Sequence, residues 1–325
     1  MKVKFVNVIS FCLLAALIFP LQAISQNNEI IVMDQRHVTK TYDFNDGGYL
    51  YVKNVTGDIK VDSWNRKNIE IDITKRGSRD DVEVVIDKRG NSFYVEVDYP
   101  DRDWRDKVFG RNNSASIHFN IKIPAKTELD LDNVTGDITI SGINSRIEAG
   151  TVTGDLEIRD AEGNIYGKTT TGGITIFDIR GEVDAHSTTG RIEIRNTGDV
   201  DVHSTTGRIE VINSNGSNIM ASITTGHIEI DLAKVDSRGR YEFKTTTGDI
   251  RLTIPKDAKA DFTVKVKPKN LVSDFDLFDD RREKRSRRDD FSFDFSARTF
   301  RGDLNGGGAR IYLSSSHGDV DIRKR

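Results

Sequence analysis

Along most of this chain, apolar and polar residues alternate in short bursts, each burst entered through a glycine. Thr188 to Ser204 is the clearest stretch and reads T-T-G-R-I-E-I-R-N-T-G-D-V-D-V-H-S. Side chains alternate faces along a strand, so Ile192 and Ile194 point inward while Arg191 and Glu193 point outward. Val200 and Val202 repeat the arrangement after a second glycine. The segment predicts two short strands joined by glycine turns.

The pattern recurs. Related motifs begin at Val55, Val134, Val152, Thr170, Thr188, Thr205, Thr224, Thr246 and, in degenerate form, Ser316. The glycines from Gly136 to Gly248 lie 18, 18, 18, 17, 19 and 22 residues apart. A fixed period of this length predicts an all-β, parallel β-solenoid or β-helix with two strands per coil. The inward pair of every motif is Ile, Val or Leu, from Ile59/Val61 through Ile192/Ile194 to Val320/Ile322. Stacked, these pairs make an aliphatic ladder. The second strand supplies Ile147/Ala149, Ile165/Gly167, Val183/Ala185, Val200/Val202 and Ile219/Ala221. Its small second members predict that two sheets converge there, and Tyr241/Phe243 predicts a wider coil.

Glycine at the corner supplies a positive φ, and the threonine before it is expected to satisfy corner backbone groups. Parallel coils about 4.8 Å apart would carry Gly136 to Gly248 through a rise of roughly 30 Å. The T-T-G column can be read as a hydroxyl array for ice or glycan, or simply as corner chemistry.

Three sections follow behind a leader at 1–25. Residues 26–123 form an irregular N-terminal β section and cap, within which Gly48 to Ser63 reads as an early coil. Residues 124–255 are the repeat core. Residues 256–325 are C-terminal coils carrying a charged insert at 273–290. Asp101 to Ser114 reads as a polar loop. No segment after the leader has sustained helical periodicity.

The N-terminal strands, the repeated T-G-D-I-x-I coils and the closing G-G-G…H-G-D-V-D-I segment resemble the bacterial adhesin-type β-strand-repeat family, also called the toast-rack domain, of unknown function. The resemblance covers roughly Gly48 to Ile322. It implies an extracytoplasmic β-solenoid and provides no catalytic residues to carry over. Some relatives occur in cell-envelope stress systems.

Lys2 and Lys4, the apolar run from Val8 to Leu21 and the small-x-small site Ala23-Ile24-Ser25 look like a secretory signal cleaved near Ser25/Gln26. The apolar run is shorter than the ~20 residues of a spanning helix. Cleavage would leave no transmembrane segment and place the protein in the periplasm, on the outer surface or in the medium. It would also remove Cys12, the only cysteine, and with it any disulfide or thiol chemistry. Without Lys2 and Lys4, the 48 basic residues become 46 against 51 acidic, a net charge of −5. That balance argues against a nucleic-acid partner.

Four clusters remain as candidates. Asp184-x-His186 and Asp201-x-His203 fall on adjacent coils with all four side chains outward, which would bring two imidazoles and two carboxylates within reach of one metal ion, zinc or copper before calcium. Duplicated surface is the alternative reading. Arg191/Glu193, Arg208/Glu210 and His227/Glu229 should stack as an outward charge ladder. Arg281 to Arg288 could bind anionic lipid phosphate, although its flanking aspartates favour self-neutralisation. A carbohydrate-active site would need an acidic pair or calcium cluster under long loops, and the loops from Thr135 to Gly248 are short. The expected protein is therefore a non-enzymatic, adhesin-like surface or envelope interaction protein. It needs no cofactor, and its partner is a glycan or an envelope or surface protein. The alternatives are an envelope-stress sensor or regulator domain and a carbohydrate-active enzyme. The sequence sets no oligomeric state.

Overall fold

The computed structural model describes residues 27–79, 81–99, 115–279 and 297–325. The expected leader, the loop at 101–114 and residues 280–290 of the charged insert lie outside the described residues. Within them the chain forms 25 strands and one three-residue 3-10 turn at Pro268–Asn270.

The first section contributes β1 (Asn27–Val32), β2 (His37–Asp43), β3 (Tyr49–Thr56), β4 (Ile59–Trp64), β5 (Asn68–Gly77), β6 (Glu83–Arg89), β7 (Ser92–Asp98) and β8 (Ala115–Pro124). The repeats contribute β9 (Glu128–Thr135), β10 (Ile138–Ser141), β11 (Ile147–Thr153), β12 (Leu156–Glu162), β13 (Ile165–Thr171) and β14 (Ile174–Arg180). In β15 (Val183–Arg195), β16 (Val200–Ser214) and β17 (Asn218–Leu232) the two strands of a coil run through the corner without a break. The chain closes with β18 (Arg240–Thr247), β19 (Ile250–Ile254), β20 (Ala260–Val266), β21 (Leu271–Ser273), β22 (Phe278–Asp279), β23 (Arg298–Leu304), β24 (Ala309–His317) and β25 (Val320–Lys324).

Successive coils pair in parallel. Ile147 lies opposite Ile165, Ile165 opposite Val183, Val183 opposite Val200, and Val200 opposite Ile219. The strands before each corner glycine form a first sheet, and the strands after it form a second. Both sheets continue into the N-terminal section. The first runs β1-β6-β7-β3-β9 and the second β2-β5-β8-β4-β10, with the outer strands antiparallel. The early coil expected at 48–63 is β3–β4.

The coils do not stack in sequence order at either end. The early coil β3–β4 lies between β7–β8 and β9–β10, so the chain leaves it, builds the outer strands, and returns past it. Backbone bonds from Gly57 N–H to Thr135 O and from Ile59 N–H to Asp137 O, each 2.9 Å, seal the return. At the far end β24–β25 inserts between β18–β19 and β20–β21. The last 17 residues thus fill an internal slot.

The inward positions form one core. Both members of the pairs Ile59/Val61, Ile138/Ile140, Ile192/Ile194 and Ile250/Leu252 are buried, as are Tyr241 and Phe243. Burying each such aliphatic side chain stabilises by about 1.5–3 kcal/mol, repeated coil by coil. The convergence of the sheets shows at Gly167, where an added β-carbon would stand 2.9 Å from Leu156 Cδ2. At Tyr241 the hydroxyl donates to Gly216 O at 3.1 Å and accepts from Asp236 N–H at 2.9 Å.

Candidate functional site

The corner fixes which residues face outward, so the site begins there. A β-carbon on Gly172 would overlap the carbonyl oxygen of Gly154, and Gly172 has φ +142°. The same close approach links Gly136 to Gly57, Gly154 to Gly136 and Gly248 to Gly226. Glycine is needed twice over, for its dihedral and for the contact.

Several corner carbonyls are satisfied by a side chain three positions before the next glycine, although Ser187 reaches no acceptor, Ser204 turns to Thr206 O and Ile223 has no donor. Thr151 Oγ1 donates to Gly136 O at 3.0 Å, Asn133 Nδ2 to Gly57 O at 2.8 Å, and Ser315 Oγ to Gly248 O at 3.0 Å. This polar column is buried. The threonine directly before the glycine, expected to play this part, is exposed at Thr135, Thr153, Thr171 and Thr189. The aspartate after the glycine has a backbone duty as well. Asp137 Oδ1 accepts the N–H of Asp155 at 2.8 Å, and Asp155 Oδ1 accepts that of Gly173 at 2.7 Å. A third column is left-handed: Gly142, Asp160, Asp178, Asn196 and Asn213 have φ from 52° to 77°. Asn213 Nδ2 donates to Asn196 Oδ1 at 2.6 Å and Asn196 Nδ2 to Asp178 Oδ1 at 2.8 Å. Asp and Asn are the side chains that best tolerate this conformation. They recur at 160, 178, 196 and 213, although each by itself looks like an ordinary turn residue.

With the corners set, β15 and β16 bring the two D-x-H motifs together on the outer face of the first sheet. Asp184 lies opposite Asp201 and His186 opposite His203. The imidazole centroids are 5.1 Å apart with an interplanar angle of 35°, and Tyr166 extends the row, 5.8 Å from His186. Each histidine is held by the aspartate of its own strand. Asp184 Oδ1 is 2.7 Å from His186 Nε2, and Asp201 Oδ1 is 3.2 Å from His203 Nδ1. The two rings therefore engage their carboxylates through different nitrogens and leave unlike nitrogens for a shared ligand. Among the described residues, no group of three or more His, Cys, Asp or Glu side chains is arranged to hold a metal.

The charge ladder lies on the outer face of the second sheet. Arg191, Arg208 and His227 form one column, and Glu193, Glu210, Glu229 and Arg251 the next. Arg208 Nη1 stands 3.5 Å from Glu210 and 3.8 Å from Glu229, linking neighbouring coils. Exposed pairs of this kind contribute about 0–1 kcal/mol each. A groove of about 410 Å³ runs beside this ladder, past His227, Asp249 and Asp319, and another of about 440 Å³ follows the left-handed column past Asp160 and Asp178. Both are open and shallow. Arg281 to Arg288 lies outside the described residues.

Two solved structures align with the chain over most of its length. One is a proposed cell adhesion protein from Clostridium sporogenes, 8% identical, covering 89% of this chain and 100% of its own, with a TM-score of 0.20. The other is a proposed adhesin from Bacteroides fragilis, 10% identical, covering 90% and 98%, with a TM-score of 0.33. No curated protein sequence matches. The Toastrack DUF4097 profile matches residues 49–323, from the first corner coil to the last, and the chain belongs to that family.

Proposed function

We propose that this protein is a non-enzymatic, adhesin-like scaffold of the cell surface or envelope, exported by the leader at 1–25, that binds a glycan or an envelope or surface protein through its outer sheet faces. One observation carries the reading. The inward columns of the second sheet keep Ile, Val or Leu from Ile59 to Val320, whereas an outward column of the first sheet runs Tyr51, Asp130, Glu148, Tyr166, Asp184, Asp201, Met220, Glu242 and Tyr312. A stack with a fixed interior and a varied exterior suits presentation of a surface. Shallow, open grooves suit extended contact rather than enclosure of a small substrate.

Cell fractionation with protease shaving of intact cells tests the location. The reading expects the protein to appear outside the inner membrane, and a cytoplasmic protein would overturn it. Incubation with a panel of polysaccharides tests the chemistry. Binding without new reducing ends or unsaturated products is the expected result, and turnover would establish an enzyme instead.

A further inference from the structure

The outer face of the first sheet is divided by charge along the stack. Towards the N-terminal end its outward positions carry Glu96, Glu128, Asp130, Asp132 and Glu148 against two cations, Lys53 and Arg146, around the tyrosine cluster Tyr49, Tyr51 and Tyr94. The crowding is felt locally: burial and then the neighbouring Asp130 raise the carboxyl of Asp132 above its ordinary range. Towards the C-terminal end the same columns carry Arg240, Lys244, Arg310 and Lys265 around Tyr312, against two carboxylates, Glu242 and Asp261. The ammonium groups of Lys244 and Lys265 stand 5.5 and 5.4 Å from the Tyr312 ring. Lys53 lies between Glu96 and Asp132 in the sheet and is the cation nearest to both in register.

We propose that two copies of this protein pack face to face and antiparallel through this sheet, so that the acidic end of each covers the basic end of the other. A twofold axis lying along the strands reverses the order of the coils and keeps each column opposite itself. With the axis at β15, three strands on either side bring β9 onto β18, and five bring β7 onto β20. Glu128 then faces Arg240, Asp132 faces Lys244, and Glu96 faces Lys265, each pair occurring twice. Tyr51 faces Tyr312. Asp130 and Glu242 are a like-charged pair between these patches, each already held in its own chain, and on the axis itself Glu182 and Asp184 face their own copies. Tyr49 donates to Asp130 Oδ2 at 3.0 Å, and Glu242 is shared by Arg240 and Lys244.

Other registers fit worse. Moving the axis by half a strand places Arg146 on Arg240 and Glu148 on Glu242. Moving it by a full strand places Glu128 on Asp261 and Lys168 on Lys244. A closed, isologous dimer is the commonest assembly of a single chain, and opposed charge patches set register and speed association. A polyanion would use only the basic end and leave the acidic end without a role. The dimer goes beyond the scaffold function and stands whether or not the protein adheres to another molecule.

Sedimentation velocity of the purified protein over a concentration series, at low and high salt, is the first measurement. A dimer that weakens with salt is expected, because exposed charge pairs are screened. Glu128→Lys/Asp132→Lys and, separately, Arg240→Glu/Lys244→Glu should each weaken the dimer by about tenfold or more. The four changes combined in one chain restore every opposition and should restore the dimer. Glu96→Lys with Lys265→Glu supplies an independent pair for the same rescue, and circular dichroism confirms that each variant is folded. Monomer at all concentrations overturns the proposal, as does a dimer insensitive to salt and charge reversal. So does failure of both folded rescue variants. Monomeric protein that binds heparin, with binding lost in Arg240→Glu/Lys244→Glu, assigns the basic patch to a polyanion instead and equally overturns it.

Discussion

At the scale of single residues, the corner decides stability more than the exposed faces do. Thr151 is buried and its hydroxyl caps the Gly136 carbonyl, whereas Thr153, two residues on, faces solvent. Thr151→Val keeps the shape and removes the donor, so it should destabilise by about 1–3 kcal/mol, while Thr153→Val should change stability by less than about 0.5 kcal/mol. Equal melting shifts would return the corner role to the exposed threonine. The paired D-x-H motifs invite a second residue-scale test. Because no group of three or more ligating side chains is arranged to hold a metal among the described residues, calorimetric titration of zinc should give equal heats for the native protein and for His186→Ala/His203→Ala. Heats confined to the native protein would establish a metal site at Asp184, His186, Asp201 and His203.

At the scale of the element, period and face were legible before the structure. Alternation placed Ile192 and Ile194 in the core, and the structure buries both. Ile192→Asp should therefore abolish the cooperative melt at neutral pH, since a carboxylate would sit unpaired among aliphatic side chains. A native-like melting curve would refute the inward register. The polar columns were harder to see. Thr151 and Thr169 are polar residues inside an apolar ladder, and alternation alone reads them as inward without saying that they reach the Gly136 and Gly154 carbonyls. The Asx corner was equally quiet, because Asp160 and Asn196 look like ordinary turn residues until the dihedrals show a left-handed column. Asn196→Ala loses two side-chain hydrogen bonds and strains a residue at φ +53°. A loss of about 1–3 kcal/mol is expected by chemical denaturation, and an unchanged midpoint would show that the column is dispensable. The paired charges of the candidate site were legible as positions. Which nitrogen of each histidine meets its aspartate was not, because that depends on side-chain rotation.

At the scale of the whole molecule, the order of coils in space departs from the order in sequence, and no local pattern announces it. The degenerate motif at Ser316 looks like the last coil of a series, yet it lies inside the stack. Its corner glycine, Gly318, packs on Gly248, and Gly248 N–H donates to His317 O at 2.8 Å. On its other side β24 pairs with β20, whose Phe262 and Val264 lie opposite Ile311 and Leu313. In a solenoid threaded in sequence order, removing the last coil would strip one end and leave every other interface intact. Here, truncation after Leu304 opens an internal gap and leaves the strands on both sides of it without the partner they share. The strands β18 and β20 would be left two strand spacings apart, roughly 10 Å, too far to hydrogen-bond. Hydrogen exchange should then show lost protection in β18–β19 and in β20–β21 together, while β11 to β16 stay protected. Native protection in β20–β21 of the truncated chain would mean that these strands had dropped into the vacated slot, and that the final coil is an addition to the stack rather than the piece that closes it.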